Sequence, residues 1–307
     1  MTNTRANRWH NYYTPKSVAE AIEILQRYDG QARVVGGGTD LLVEIRRGLH
    51  RPVEALVDVA RIPNLNTIDE DGDYIVMGCG VTHSQIVRDP RIIEYGTCLA
   101  ESCGVIGGPQ VRNVGTLAGN VAHALPAGDG TIGLLALGGE IEVADTNGTR
   151  WMPVKDAFLG PGKSVIDRHR AVLTRLRFKA TGTREGSASH RVMRPQGLCL
   201  PIISMAVRLQ LNDSATITAA GISMGPVGPV PYLAEPAMVV LVGGPASTEQ
   251  FNKAAEVALG SVKLRASKYR ATHEYRAEMI RTYLPVILTR AAERAATGHA
   301  VPEGVGQ

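Results

Sequence analysis

At 307 residues the chain is long enough to bury a large core and to divide into two or three subdomains. A hydrophobic share of 44% with 20% charged residues excludes a disordered chain, and no apolar run is long enough to span a bilayer. The net charge of +4 is uneven: Lys263 to Arg294 carries eight Lys/Arg against three Asp/Glu, a local +5, and the remainder is near neutral. No aromatic or glycine-rich recognition pattern accompanies that basic tail, so nucleic acid is not expected as a partner. A solvated helix face, or one meeting an acidic partner surface, is the reading. The polar start, Met1 to Asn11, has no apolar signal segment and no twin-arginine pair, which makes a cytoplasmic location the expectation. Cys79, Cys98, Cys103 and Cys199 are scattered and read as reduced, small buried residues.

Thr14-Pro15 reads as a helix start, with Val18, Ala21, Ile22 and Leu25 at helical spacing and Gly30 at its end. Ala32 to Val35 is a short strand, a glycine loop follows, and a helix runs through Leu41, Leu42 and Ile45 to a strand at Ala55 to Val59. Tyr74 to Cys79 is strand-like, Thr82-His83-Ser84 begins a helix, and Arg91 to Cys103 is a second one. Gly104 to Gly130 is too apolar for a linker. Gly139 to Ala144 and Trp151 to Val154 flank a hairpin turn at Asp145-Thr146-Asn147-Gly148, and Ala171 to Phe178 is a further strand. Thr181 to Ser189 is polar and marks a boundary. Ile202 to Leu211 and Ala215 to Ala220 are strands, followed by a Gly/Pro-rich stretch from Gly221 to Pro231. Ser247 to Leu259 is a helix capped by Ser247, and Tyr269 to Ala296 is helical with a kink or break expected at Pro285. The expected units are residues 1–60, 61–180 and 181–307.

Two loops carry the chemistry. Val35-Gly36-Gly37-Gly38-Thr39-Asp40-Leu41 lets main-chain N–H groups approach a pyrophosphate without a Cβ in the way, at a strand-to-helix turn. It lacks the GxGxxG spacing and the Walker lysine, and alone it reads equally as a tight turn. Thr116-Leu117-Ala118-Gly119-Asn120 places hydroxyl and amide donors among small residues, and Asp129 follows nine residues after Asn120 as an acceptor for ribose hydroxyls. Taken together, the loops suit FAD gripped from two sides. His83 reads as a helix-start hydrogen bonder and His123 as loop packing, and no HExxH or CxxC metal pattern is present.

Gln110-Val111-Arg112-Asn113-Val114-Gly115-Thr116-Leu117-Ala118-Gly119-Asn120 resembles the xRNxGTxGGN segment of the FAD-binding medium subunits of molybdenum hydroxylases. Residues 35–41 resemble their AGGTDL loop, Ile75 to His83 their IGAxxTH segment, Pro126 and Asp129 their PxxD, and the tail around Lys268-Tyr269-Arg270 their C-terminal helix. The resemblance implies an α+β fold: a two-lobed FAD-binding domain of the vanillyl-alcohol-oxidase/PCMH type plus a C-terminal α+β domain typical of CO dehydrogenase flavoproteins. It implies FAD on this chain, with Gly36 to Asp40 on the pyrophosphate, Thr116 to Asn120 on the phosphate and ribityl, and Asp129 on the adenosine ribose. Val172 or Leu173 then lies near the flavin ring or adenine, and Arg191 near the flavin's N1–C2 edge. Its implied partners are a large molybdenum-cofactor subunit and a small [2Fe–2S] subunit, as a dimer of heterotrimers. Ala118 departs from the second family glycine, and its methyl is expected to crowd the cofactor slightly. Cys199 stands where the family often has an Asp. No cysteine-rich insertion lies between Asn120 and Gly139, so no [4Fe–4S] cluster is expected. A stand-alone flavin oxidoreductase and a flavin-free scaffold subunit stay open as alternatives.

Overall fold

The computed structural model describes residues 9–49, 52–180, 182–194, 200–267 and 270–304. Cys199, Lys268 and Tyr269 lie outside them, as do Arg51 and the first eight residues.

The N-terminal part runs β1 (Asn11–Tyr13), α1 (Val18–Arg27), β2 (Ala32–Val35), α2 (Leu41–Arg46) and β3 (Ala55–Asp58). The strands form a parallel sheet in the order β1-β3-β2. Each parallel step needs a crossover, which α1 and α2 supply. The cap of α1 is Ser17, not Thr14: Ser17 is extended and its hydroxyl accepts from Glu20 N, so Thr14-Pro15 leads into the helix from outside.

The middle part contains β4 (Ile68–Asp71), β5 (Tyr74–Gly78), α3 (His83–Arg88), α4 (Pro90–Tyr95), α5 (Thr97–Gly104), α6 (Pro109–Arg112), α7 (Leu117–His123) and α8 (Asp129–Ala136). It continues through β6 (Glu140–Asp145), β7 (Gly148–Pro153), the small β8 (Phe158–Gly160) and β9 (Lys163–Ser164), and β10 (Val172–Lys179). Its main sheet is antiparallel in the order β4-β5-β10-β6-β7. The single helix expected over Arg91–Cys103 is two, broken at Gly96, where φ is −145°. A Cβ at Gly96 would stand 2.8 Å from Phe178 Cζ, so the helix bends where it crosses the sheet. The apolar, glycine-rich stretch becomes helices: α5 and α8 are wholly buried, and a Cβ on Gly133 would come 3.0 Å from Leu99 Cα. Ala21, Val57, Met77, Leu117 and Leu176 share one core, so the two sheets pack around common helices.

The C-terminal part is β11 (Glu185–Met193), β12 (Pro201–Leu211), β13 (Ile217–Gly225), β14 (Tyr232–Leu233), α9 (Glu235–Leu241), α10 (Thr248–Gly260) and α11 (His273–Thr297). The sheet is antiparallel in sequential order. The expected boundary at 181–189 is in large part strand, and β13 continues to Gly225 through the start of the Gly/Pro-rich stretch. Alternation along β12 explains the sandwich: Ile203, Met205, Val207 and Leu209 face the C-terminal helices, while Ala206 joins the core under α5 and α8. Glycine lets helix and strand backbones touch on both faces. A Cβ on Gly186 would overlap the Ala291 carbonyl of α11, and one on Gly221 the Ala136 carbonyl of α8. Pro285 does not interrupt α11, which is continuous from a Thr272 cap to Gly298. Pro285 is buried, so packing offsets the one missing helical hydrogen bond.

Candidate functional site

The two glycine-bearing loops meet. A Cβ on Gly37 would lie 2.6 Å from the Val114 carbonyl carbon and 2.8 Å from Gly115 Cα, so backbone runs against backbone. Gly36 and Gly119 each face Thr116 Oγ1, where an added Cβ would sit 3.1 Å away. Thr116 is buried at the seam, and its hydroxyl caps α7 by accepting from Gly119 N at 3.0 Å. The segment around Thr116 is pinned from below: Thr82 bridges Thr116, and His83 N donates to Gly115 O at 3.0 Å.

Gly38, with φ +68°, turns the chain into α2. The N–H groups of Gly36, Gly37, Gly38, Thr39 and Asp40 donate to no acceptor among the described residues, and these residues are half-buried to exposed. Successive unpaired N–H groups in a turn form a concavity that suits an anion. The donor row, closed behind by a seam only glycine permits, fits the diphosphate of a dinucleotide. Nearby, Asn120 Oδ1 accepts from Thr131 N at 3.0 Å and Thr131 Oγ1 at 2.9 Å, tying α7 to the start of α8.

Asp129 and Arg191 were expected at opposite ends of the cofactor, on the ribose and the flavin edge, and the structure brings them together. Arg191 Nη1 lies 3.2 Å from Asp129 Oδ2, with both side chains almost fully covered. Ser204 Oγ donates to Asp129 Oδ1, and Arg191 Nη1 donates to the Val105 carbonyl. Two side chains in contact cannot serve both ends of an extended dinucleotide, so the two implied roles do not hold together; the Asp129 oxygens face Arg191 and Ser204. Burial pushes the Asp129 carboxyl up to about 6, opposed by the Arg191 charge and the Ser204 hydrogen bond. Arg191 Nε is buried with no partner, a donor available to a ligand.

Other expected residues divide by burial. Val35 and Leu41 belong to the small core beneath the glycine loop, and Leu117 and Ala118 to the main core. The Ala118 methyl therefore packs inward. Val172 and Leu173 are buried on β10, which leaves only their backbone to meet a ligand. His83 is buried, with its Nδ1 unpartnered, and burial pushes its imidazole down to about 4, so it is neutral at neutral pH. His123 Nε2 lies 3.3 Å from Glu44 Oε1, joining α7 to α2 across the seam.

Two residues of this region escaped the sequence reading. Ser204 is polar within the apolar run Ile202-Ile203-Ser204-Met205, a signal for an inward hydrogen bond. Glu101, an acid amid Leu99-Ala100 and Ser102-Cys103, pairs with Arg294 at 2.7 Å and accepts from Ser189 N at 2.6 Å. Among the described residues, no group of His, Cys, Asp and Glu could hold a metal ion.

The FAD binding domain in molybdopterin dehydrogenase matches residues 5–178, and the CO dehydrogenase flavoprotein C-terminal domain matches residues 188–291. The carbon monoxide dehydrogenase medium chain of Afipia carboxidovorans is 30% identical over 285 residues, covering 93% of this chain and 96% of that protein. The nicotinate dehydrogenase FAD-subunit of Eubacterium barkeri is 27% identical over 242 residues, covering 78% of this chain and 81% of that protein. A chain of carbon monoxide dehydrogenase from Hydrogenophaga pseudoflava superposes with a TM-score of 0.86 at 27% identity, covering 93% of this chain and 98% of that one. The expected fold, an FAD-binding domain followed by a CO dehydrogenase flavoprotein C-terminal domain, is borne out.

Proposed function

Because the chain belongs to the FAD-binding family of molybdopterin dehydrogenases, we propose that it is the electron-transfer subunit of a heteromeric molybdenum hydroxylase. It takes electrons from [2Fe–2S] clusters of a small partner subunit, downstream of a large molybdenum-cofactor subunit, and passes them to an external acceptor. A dimer of heterotrimers in the cytoplasm is the assembly that this reading carries, with residues 1–60, 61–180 and 181–307 as the working units of this chain.

The observation that supports it best is the row of unpaired N–H groups from Gly36 to Asp40, backed by the Gly37–Val114 seam. When bound, FAD supplies the redox chemistry at its isoalloxazine ring, and the protein binds and tunes it. Gly36 to Asp40 hold the diphosphate through main-chain donors. Gly119 and Asn120, at the open edge of α7, meet the neighbouring phosphate and ribityl. The Asp129–Arg191 pair belongs to the flavin end, where the free Arg191 Nε presents a donor and the buried carboxylate limits the net charge. Leu41 and Val35 hold the glycine loop from beneath, and Val172 contributes through its backbone.

The flavin content of the chain purified with its co-expressed partner subunits tests the reading. One FAD per chain, lost on Gly37→Val, is the expected result. A colourless complex that takes up no added FAD would overturn it.

A further inference from the structure

The C-terminal part gathers arginines without carboxylates. Arg276, on α11, is fully buried; its Nη1 donates to Pro226 O at 3.1 Å, and its Nε is buried with no partner. Arg265 is tied to the same turn by its main chain, which donates to Val227 O at 2.9 Å. Arg194, one residue past β11, donates to Arg270 O at 3.2 Å. The fields of Arg265 and Arg270 add to burial in pushing Arg276 down to about 10. Burial and Arg265 likewise push Arg270 down. No carboxylate among the described residues pairs with any of the four. Clustered guanidinium groups repel one another, and leaving a buried one without a counter-charge is costly. Such a cluster is stable when an anion completes it.

We propose that Arg194, Arg265 and Arg270, above the buried Arg276, form a binding site for a diphosphate ester. The planar guanidinium donates bidentately to phosphate oxygens, and a compact multivalent anion neutralises several at once. A flat acidic protein surface would reach only the exposed Arg194 and Arg265, leaving half-buried Arg270 unmatched. The position gives the site a use. Arg194 is three residues along the chain from Arg191, about 10 Å by the rise of a strand. Gly225, which pairs with Ser204 of the Asp129 network, directly precedes Pro226. A diphosphate held here therefore lies within one dinucleotide length of the Asp129–Arg191 pair. A pyridine dinucleotide acceptor and a free nucleotide diphosphate both carry this group. The link to an acceptor rests on the function proposed above; the anion site does not.

Calorimetric titration of inorganic pyrophosphate into the full chain, with flavin content measured on the same samples, tests the site. Wild type is expected to bind saturably, and Arg270→Gln and Arg265→Gln each to weaken binding at least tenfold. Arg281→Gln removes a charge from an exposed part of α11 that pairs with Glu256, and it should leave binding unchanged. Absence of saturable binding, or equal weakening by Arg281→Gln and Arg270→Gln, overturns the site. Competition by NAD⁺ at these arginines assigns the diphosphate to an acceptor, and competition by ADP alone assigns it to a free nucleotide; either supports the site. A chain that takes up no FAD yet keeps the Arg270-dependent binding overturns the flavin reading only.

Discussion

Gly37 and Val114 meet backbone to backbone, close enough that a Cβ on Gly37 would stand 2.6 Å from the Val114 carbonyl carbon. The contact welds the two loops into one surface. Gly37→Ala is therefore expected to push the loops apart, at a cost of about 1–3 kcal/mol. Thermal unfolding and FAD retention both report it, and FAD affinity should fall at least tenfold. Gly260→Ala, where a Cβ meets nothing within 4 Å, is the control that should leave both near wild type.

Thr116 acts as a cap as well as a spacer. Thr116→Val keeps the shape facing Gly36 but removes the acceptor for Gly119 N. A loss of about 1 kcal/mol is expected from the cap alone. Denaturant titration should show it, and frayed α7 should lower FAD retention.

Asp129 and His83 are expected to pull stability in opposite directions with pH. The folded pKa of Asp129 is raised, to about 6, so its contribution is fully present below its unfolded pKa and is lost as pH rises through 6. The size is about 3 kcal/mol, an order of magnitude set by the shift. His83 is depressed to about 4, so its contribution is present above its unfolded pKa and is lost as pH falls through 4. Denaturant unfolding from pH 4 to 7 checks both signs. Relative to wild type, Asp129→Asn should gain stability as pH rises, and His83→Gln should lose it.

Glu101 and Arg294 form a buried pair that also receives Ser189 N and Glu303 N. Glu101→Gln leaves Arg294 buried without its counter-charge, and a loss of about 3–5 kcal/mol is expected. The midpoint of urea unfolding measures it. A loss below 1 kcal/mol would show that the tail hydrogen bonds, not the charge, hold α11 to α5.

Several elements were legible because their causes are local. Ala32 to Val35 is a short strand ending in two β-branched residues between Gln31 and Gly36, and Ser247 caps α10 as its side chain dictates. Both loops could be found because glycine and small residues at a helix start are a local signal, after a strand in the first loop and after a short helix in the second. The break at Gly96 was not legible, since its cause is Phe178, far along the chain on β10. Nor was the continuity of α11 through Pro285, because burial in the packed structure outweighs a backbone preference.

Local composition marks which segments carry small residues and donors, and hence a dinucleotide-binding class. Which of those residues face out depends on packing between elements. Ala118 lies on α7 beside Gly119, yet helical geometry turns its methyl into the core and leaves Gly119 exposed. Asp129 and Arg191 come together because β11, β12 and α8 pack on one another, with Ser204, opposite Arg191 in the sheet, holding the other carboxylate oxygen. Glu101 and Arg294 meet across 193 residues for the same reason. Local patterns set backbone conformation, whereas pairings between elements depend on how whole sheets and helices exclude water, which no single stretch of sequence contains.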